Sequence, residues 1–193
     1  MSLFAGSDSF EDQTFSDLAL PSADFSEKDF VRCTFRRAVL VESTWSRARL
    51  EDCVFDGCDL MRLRPDKLAL RGVEFVNCRL TGVDWTGVAP NPAVGFDGCN
   101  LQYSSFVKIN LTGARFRNCR AIEVTFIEAR LQRADFEHTD LSGASFDGCD
   151  LQEADFSQAI GFFADPTKNR VKRARINAAT AALLAESFGF RVP

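Results

Sequence analysis

Large apolar residues recur along this chain at intervals of five. From residue 129 to residue 156 they are Leu131, Phe136, Leu141, Phe146, Leu151 and Phe156. A small residue lies two positions before each of them. A period of five matches neither the 3.6-residue period of an α-helix nor the two-residue period of a β-strand. It is typical of a short unit that is copied and stacked.

The identity of the large residue carries a longer period of twenty. Phenylalanine recurs in this way, once a single inserted residue is allowed for, at Phe15, Phe35, Phe55, Phe75, Phe96, Phe116, Phe136 and Phe156. A second column is dominated by leucine, with Ala121 as its exception. Four pentads therefore make one coil, and each column forms one side of a square.

The inserted residue lies within residues 86–95, and the columns continue in phase on both sides of it. A domain boundary would have no reason to preserve the phase, so the insertion indicates a local loop. The pattern predicts a leader or cap over residues 1–8, one solenoid over residues 9–176 with a loop at 86–95, and a C-terminal segment over residues 177–193.

The motif of a small residue, then Asp or Asn, then Leu or Phe occurs at residues 134–136, 139–141, 149–151 and 154–156. With this motif the chain resembles the pentapeptide-repeat family over roughly residues 8–177. The resemblance implies an all-β fold, a right-handed quadrilateral β-helix whose large and small repeat positions point inward. A repeat of this kind is informative about fold and much less so about function.

The seven cysteines all fall at the small inward position: Cys33, Cys53, Cys58, Cys78, Cys99, Cys119 and Cys149. We interpret them as slightly larger alanines in a dry core. No CxxC pair is present and the single histidine, His138, lies at an outward position, so we expect neither a metal site nor a cofactor. The odd cysteine number, with no signal peptide and no long apolar run, indicates a cytoplasmic protein.

Two stretches interrupt the pattern. Pro65 occupies a large position, which predicts either a distorted side of one coil or a small protruding turn. The stretch 86–95 has two prolines and two glycines and predicts a turn that leaves the ladder of coils. As a partner-binding loop it would use Val88, Ala89, Pro90, Asn91, Pro92, Ala93 and Val94. The alternative is a surface loop without a role.

The C-terminal segment predicts a short capping helix. Asn177 is a suitable N-cap for a helix over about residues 178–188, which Gly189 would end. The segment carries more apolar residues than a cap requires, and these predict a C2 homodimer through Leu183, Leu184, Phe188 and Phe190. A monomer with a plain cap is the alternative.

Charge is distributed in blocks along the chain. Residues 1–60 carry −6, residues 61–120 carry +5, residues 121–167 carry −8 and residues 168–175 carry +5. The outward acidic residues of the third block form a candidate acidic partner-binding face: Asp135, Glu137, Asp140, Asp147, Asp150, Glu153 and Asp155. A dimer of about eight coils per subunit, at about 4.8 Å per coil, would be about 80 Å long, or roughly 24 base pairs of DNA. The alternative is that Asp is simply the residue that the repeat prefers.

The broken last coil, short helix and apolar end are similar to those of the Qnr proteins, and residues 82–86 and 171–176 resemble the immunity proteins of microcin and albicidin producers. This resemblance implies a DNA-like acidic rod that binds DNA gyrase or topoisomerase IV and protects it from poisons. No direct nucleic-acid or membrane binding is expected. An enzyme is disfavoured because the sequence has no G-x-S-x-G motif and no phosphate-binding glycine loop. A scaffold for an unrelated protein partner is the alternative function.

Overall fold

Each residue of the repeat region lies beside the residue that follows it by one coil, as the period of twenty requires. The computed structural model describes Phe4 and residues 6–192. In it Phe35 pairs with Phe55, and Phe75 pairs with Phe96 across the single inserted residue. The ring centroids of Phe35 and Phe55 are 4.6 Å apart, close to the usual spacing of hydrogen-bonded strands. The predicted quadrilateral β-helix is confirmed as a parallel β-solenoid.

We name the four sides after their first large residue: side A contains Phe10, side B Phe15, side C Leu20 and side D Phe25. The strands are very short, because each side of the square has room for only one pentad. They are β1 Ser9–Glu11, β2 Thr14–Ser16, β3 Asp29–Val31, β4 Thr34–Arg36, β5 Arg49–Glu51, β6 Val54–Asp56, β7 Ala69–Arg71, β8 Val73–Val76, β9 Val94–Asp97, β10 Ser105–Val107, β11 Arg115–Arg117, β12 Thr125–Ile127, β13 Ser145–Asp147, β14 Asp155–Phe156 and β15 Arg175–Ile176.

All strand pairs are parallel, since every coil runs in the same direction. Side A is the sheet β1-β3-β5-β7, and side B is the sheet β2-β4-β6-β8-β9-β11, which the pair β14-β15 continues. Side D contains the sheet β10-β12-β13. Side C is held by isolated bridges, such as that from Asp59 to Arg79.

Aromatic rings fill the interior and close both of its ends. Along side B, neighbouring rings stack at 4.6–5.5 Å between centroids. At the N-terminal end the buried ring of Phe4 packs against Phe10 and Phe25, so this residue of the predicted leader is a plug; residues 1–3 and 5 lie outside the described part. At the other end the buried ring of Phe162 stacks on Phe156 at 3.7 Å.

The cysteine thiols are buried at the inward positions that the sequence predicts. Each thiol donates a hydrogen bond to a carbonyl oxygen one coil earlier, for example from Cys58 to Phe35 at 3.3 Å and from Cys149 to Phe126 at 3.3 Å. Burial raises the pKa of Cys53 to about 11 and raises the pKa of Cys149. The thiolate form, which is the reactive one, is therefore disfavoured in the folded protein.

We expect the native thiols to react slowly with an aromatic disulfide reagent near neutral pH, and all seven to react at once in a strong denaturant. Because the pKa of Cys53 is raised to about 11 on folding, the unfolded state loses its thiol protons first as the pH rises. The contribution of the thiols to the free energy of unfolding should therefore be constant below about pH 8.5 and fall above it. Absorbance of the thiolate released from the reagent measures the labelling, and urea unfolding at several pH values measures the free energy. Rapid labelling of the native protein would contradict the buried stack.

The side that contains Pro65 stays in the ladder. Arg64 donates its amide hydrogen to the carbonyl of Ser43 at 2.8 Å, and its carbonyl accepts from Trp45 at 2.9 Å. Pro65 itself is buried at the large position. Pro65 therefore lies in a side of the coil and not in a protruding turn.

The C-terminal helix α1 spans Ala178–Ser187, as predicted. The side-chain oxygen of Asn177 accepts a hydrogen bond from the amide of Thr180 at 2.9 Å, which satisfies a free donor of the first turn. Gly189 has a φ of +85°, the left-handed conformation that commonly follows a helix. No helix in the described part of the chain is long and apolar enough to cross a membrane.

Candidate protein-binding surfaces

The loop at residues 86–95 leaves the ladder over a shorter stretch than the sequence predicts. It begins with a 3-10 helix, Trp85–Gly87, which Asp84 caps. The amides of Ala89 and Ala93 still donate to carbonyls of the preceding coil, at 2.8 and 2.9 Å, so only residues 90–92 interrupt the pairing. The reason is that the insertion amounts to one residue, which is too short for a projecting finger.

The seven predicted loop residues therefore have different environments. Pro92 is buried, and Val94 opens strand β9. Val88 and Ala89 are half-buried, and Ala93 pairs with the preceding coil. Pro90 and Asn91 are exposed and form the tip of the loop. The exposed tip of the predicted seven-residue loop is thus one proline and one asparagine.

A side-chain hydrogen bond fixes this tip against the next coil. The Nδ2 group of Asn110 donates to the Oδ1 atom of Asn91 at 2.7 Å. Asn91 has a φ of +58°, a conformation that asparagine tolerates better than most residues. Between the tip and the coil lies a recess of about 540 Å³, which we call the loop recess; Lys108 and Arg130 are among the residues that line it.

The seven predicted acidic residues do not share a face. The pairing register places Asp135, Glu137 and Asp155 on side B, Asp140 on side C, Asp147 on side D, and Asp150 and Glu153 on side A. Asp150 is also buried, where an outward position was predicted. The predicted single acidic face is wrong, because residues that are close in sequence follow the chain around all four sides.

Most of these carboxylates are also neutralised by arginines one coil away. Arg170 pairs with Asp150 at 2.9 Å, Arg175 pairs with Asp155 at 2.7 Å, and Arg173 lies 3.9 Å from Glu153. Three of the five basic residues at 168–175 therefore pair with the acidic block. Partial burial raises the pKa of Asp155, but hydrogen bonds from Ser157 and the charge of Arg175 hold that pKa below its usual value.

On side B, Arg117 bonds Asp135 at 2.6 Å and lies 3.6 Å from Glu137. Within the described residues, only Asp140 and Asp147 of the seven have no basic partner. The acidic block is therefore much less available to a cationic partner than its sequence charge suggests.

The C-terminal end exposes the apolar residues predicted for a dimer. Leu183 is 49% exposed, Phe188 is 55% exposed and Phe190 is 69% exposed, whereas Leu184 is half-buried. Thr180 is the one buried residue of α1, so the helix covers little of the last coil. We call these four apolar residues the C-terminal apolar end; that it pairs with a second copy stays a prediction.

Two further apolar residues, Ile160 and Phe163, are exposed in the last coils and were not predicted from the sequence. Ile160 bridges to Asp140 at an outward position of side C, where the repeat normally has a polar residue. That departure from the outward pattern was a usable signal. Phe163 follows an irregular segment, where the pentad no longer indicates which side chains point inward.

Comparisons with known proteins agree with this architecture. A protein-family model described as "Pentapeptide repeat region" matches residues 28–90 and 92–159, and the gap falls on the loop tip. The quinolone resistance pentapeptide repeat protein QnrB96 of Scandinavium goeteborgense is 31% identical over 80 residues. That alignment covers 41% of this chain and 37% of the relative, so it spans little more than a third of that protein.

Solved structures match over nearly the whole chain. A trypsin-treated variant of QnrB1, described as a plasmid-mediated fluoroquinolone resistance protein, is 25% identical with a TM-score of 0.64, covering 96% of this chain and 89% of that one. HetL of Nostoc sp. strain PCC 7120, described as involved in regulating heterocyst differentiation, is 19% identical with a TM-score of 0.51, covering 90% and 89%. The second likeness shows the fold alone.

Proposed function

Because this chain belongs to the pentapeptide-repeat family, we propose that it is a non-catalytic protein that binds DNA gyrase or topoisomerase IV and protects it from quinolone-type poisons. One observation carries the proposal: the likeness to QnrB1, a fluoroquinolone resistance protein, extends over 96% of the chain. The fold suits a binding role, since its interior is filled by side chains and its functional groups lie on an outer surface.

Three features of the surface would contribute to binding the enzyme. The loop tip at Pro90 and Asn91 is exposed on a rigid scaffold, the usual setting of recognition residues. Asp140 and Asp147, the two of the seven predicted acidic residues with no basic partner in the described part of the chain, would face a positively charged region of the enzyme and favour rapid, oriented association. The C-terminal apolar end would join two copies into a rod of about 80 Å, comparable to roughly 24 base pairs of duplex.

The test is DNA supercoiling by purified gyrase in the presence of a fluoroquinolone. We expect added protein to restore supercoiling, and Asn91→Ala to require roughly tenfold more protein, equivalent to about 1.4 kcal/mol of binding. The control is Asn77→Ala, because Asn77 has a similar φ, +52° against +58°, so both variants strain the backbone equally. Unchanged inhibition with the wild-type protein would refute the proposal, and equal effects of both variants would remove the loop from it.

A scaffold for another protein is the second candidate, and side C favours it. Val39 is 41% exposed and Tyr103 is 59% exposed, and both lie on that side. Exposed apolar residues on one side of a solenoid can mark a docking surface. A pull-down that recovers a different protein through side C, and no topoisomerase subunit, would favour this function.

A further inference from the structure

We propose that the loop recess is a binding site for a carboxylate group carried on a small apolar body. Only the identity of the molecule that carries the carboxylate rests on the proposed function. The recess lies between the loop tip and the following coils, where Pro90 and Asn91 form one wall and Lys108, Asn110 and Arg130 form the other.

The Arg130 guanidinium can bind a ligand because the carboxylate expected to pair with it bonds other residues. Elsewhere in the solenoid an arginine pairs with the acid one coil away, as Arg49 does with Asp29 at 2.6 Å. For Arg130 that acid is Asp150, since the two residues bridge directly. Asp150 instead bonds Arg170 at 2.9 Å and Gln132 at 2.7 Å. Within the described chain the Arg130 guanidinium has no carboxylate partner.

Two further donors face the same recess. The Oδ1 atom of Asn110 accepts from the backbone amide of Thr112 at 3.2 Å, which leaves its Nδ2 group as the donor to Asn91. That bond occupies the Oδ1 atom of Asn91 and leaves its Nδ2 group as a donor with no acceptor in the described residues. Lys108 is held only loosely, with Nζ 3.8 Å from Glu128.

The charge and the floor of the recess define the ligand class. Two cations and the single carboxylate of Glu128 leave one net positive charge, which suits a monoanion better than a phosphate dianion. Ile109, which is 6% exposed, and half-buried Val88 and Ala89 form an apolar part of the lining. A carboxylate on an apolar stem satisfies the donors and covers these groups together.

Two sources can supply such a group: an Asp or Glu side chain on a loop of a protein partner, or a free organic acid. Benzoate is a suitable probe for the shared chemistry, because it is an apolar ring that carries one carboxylate. It can be titrated into isotope-labelled protein while the side-chain amide signals of Asn91 and Asn110 are followed by NMR.

We expect saturable shifts confined to the recess in the wild-type protein, and an affinity at least about tenfold lower in Arg130→Gln, which loses a charged bidentate donor. The matched control is Arg133→Gln, since Arg133 is an exposed arginine of the same coil that does not line the recess. Shifts that do not saturate, or equal affinity in both variants, would overturn the proposal.

Binding of purified gyrase and topoisomerase IV to the same variants identifies the source. Weaker binding by Arg130→Gln alone, with competition by benzoate, assigns the carboxylate to a partner side chain. Undiminished enzyme binding together with the benzoate result assigns it to a free organic acid. If the wild-type protein binds neither enzyme, the proposed function fails, whereas the benzoate titration still decides the recess.

Discussion

Replacing Phe116 by alanine is expected to lower the free energy of unfolding by about 3–5 kcal/mol. The Phe116 ring is fully buried and stacks on Phe96 at 5.1 Å and on Phe136 at 4.9 Å. A solenoid coil is stabilised only by the coils on either side of it. A cavity at this position therefore weakens both interfaces of a central coil, and the narrow core offers little rearrangement to fill it.

Urea unfolding followed by circular dichroism measures this loss. The control is Tyr103→Ala, because Tyr103 is 59% exposed and a surface substitution of this kind changes the free energy of unfolding by about 0.5 kcal/mol or less. A similar small change for Phe116→Ala would mean that the aromatic column is not the source of stability.

Placing aspartate at Phe188 is expected to convert the proposed dimer to a monomer. Phe188 is 55% exposed in the isolated chain and would be buried at the seam between two copies. An unpaired charge buried there costs several kcal/mol, which is enough to dissociate the pair at micromolar concentration. Light scattering coupled to size-exclusion chromatography gives the mass directly.

The matched control for this experiment is Ser187→Asp. It adds the same charge one residue earlier, at a position that is already polar and exposed. Both variants place a negative charge near the C-terminus of α1, so any destabilisation of the helix itself is shared. A Phe188→Asp protein that remains dimeric, or a wild-type protein that is monomeric, would contradict the C-terminal interface.

The period of twenty made the fold predictable. It determines which residues stack, and the observed pairing of Phe15 with Phe35 and of Phe96 with Phe116 follows it. The C-terminal helix could also be predicted from the sequence, because Asn177 and Gly189 have well-defined roles at helix ends. The extent of the loop could not be predicted, since prolines and glycines indicate a turn without showing which neighbouring amides still bond the preceding coil.

The acidic face was mispredicted for a reason that the sequence itself contains. Charge was summed over consecutive residues, which the solenoid distributes over four sides. Charges compared one coil apart reveal opposite pairs instead, such as Asp12 with Arg32 and Asp155 with Arg175. In a repeat protein the surface should therefore be assessed column by column. Compared in this way, Arg130 differs from these paired arginines, because Asp150, the acid one coil away from it, bonds Arg170 and Gln132 instead.

The proposed protective role is tested most directly by the drug-stabilised cleavage complex. Purified gyrase, DNA and a fluoroquinolone are mixed with increasing amounts of this protein, and the linear DNA released by detergent is quantified. We expect that linear DNA decreases with added protein and decreases less with Phe188→Asp or Asn91→Ala. Equal amounts of linear DNA with and without the wild-type protein would contradict it.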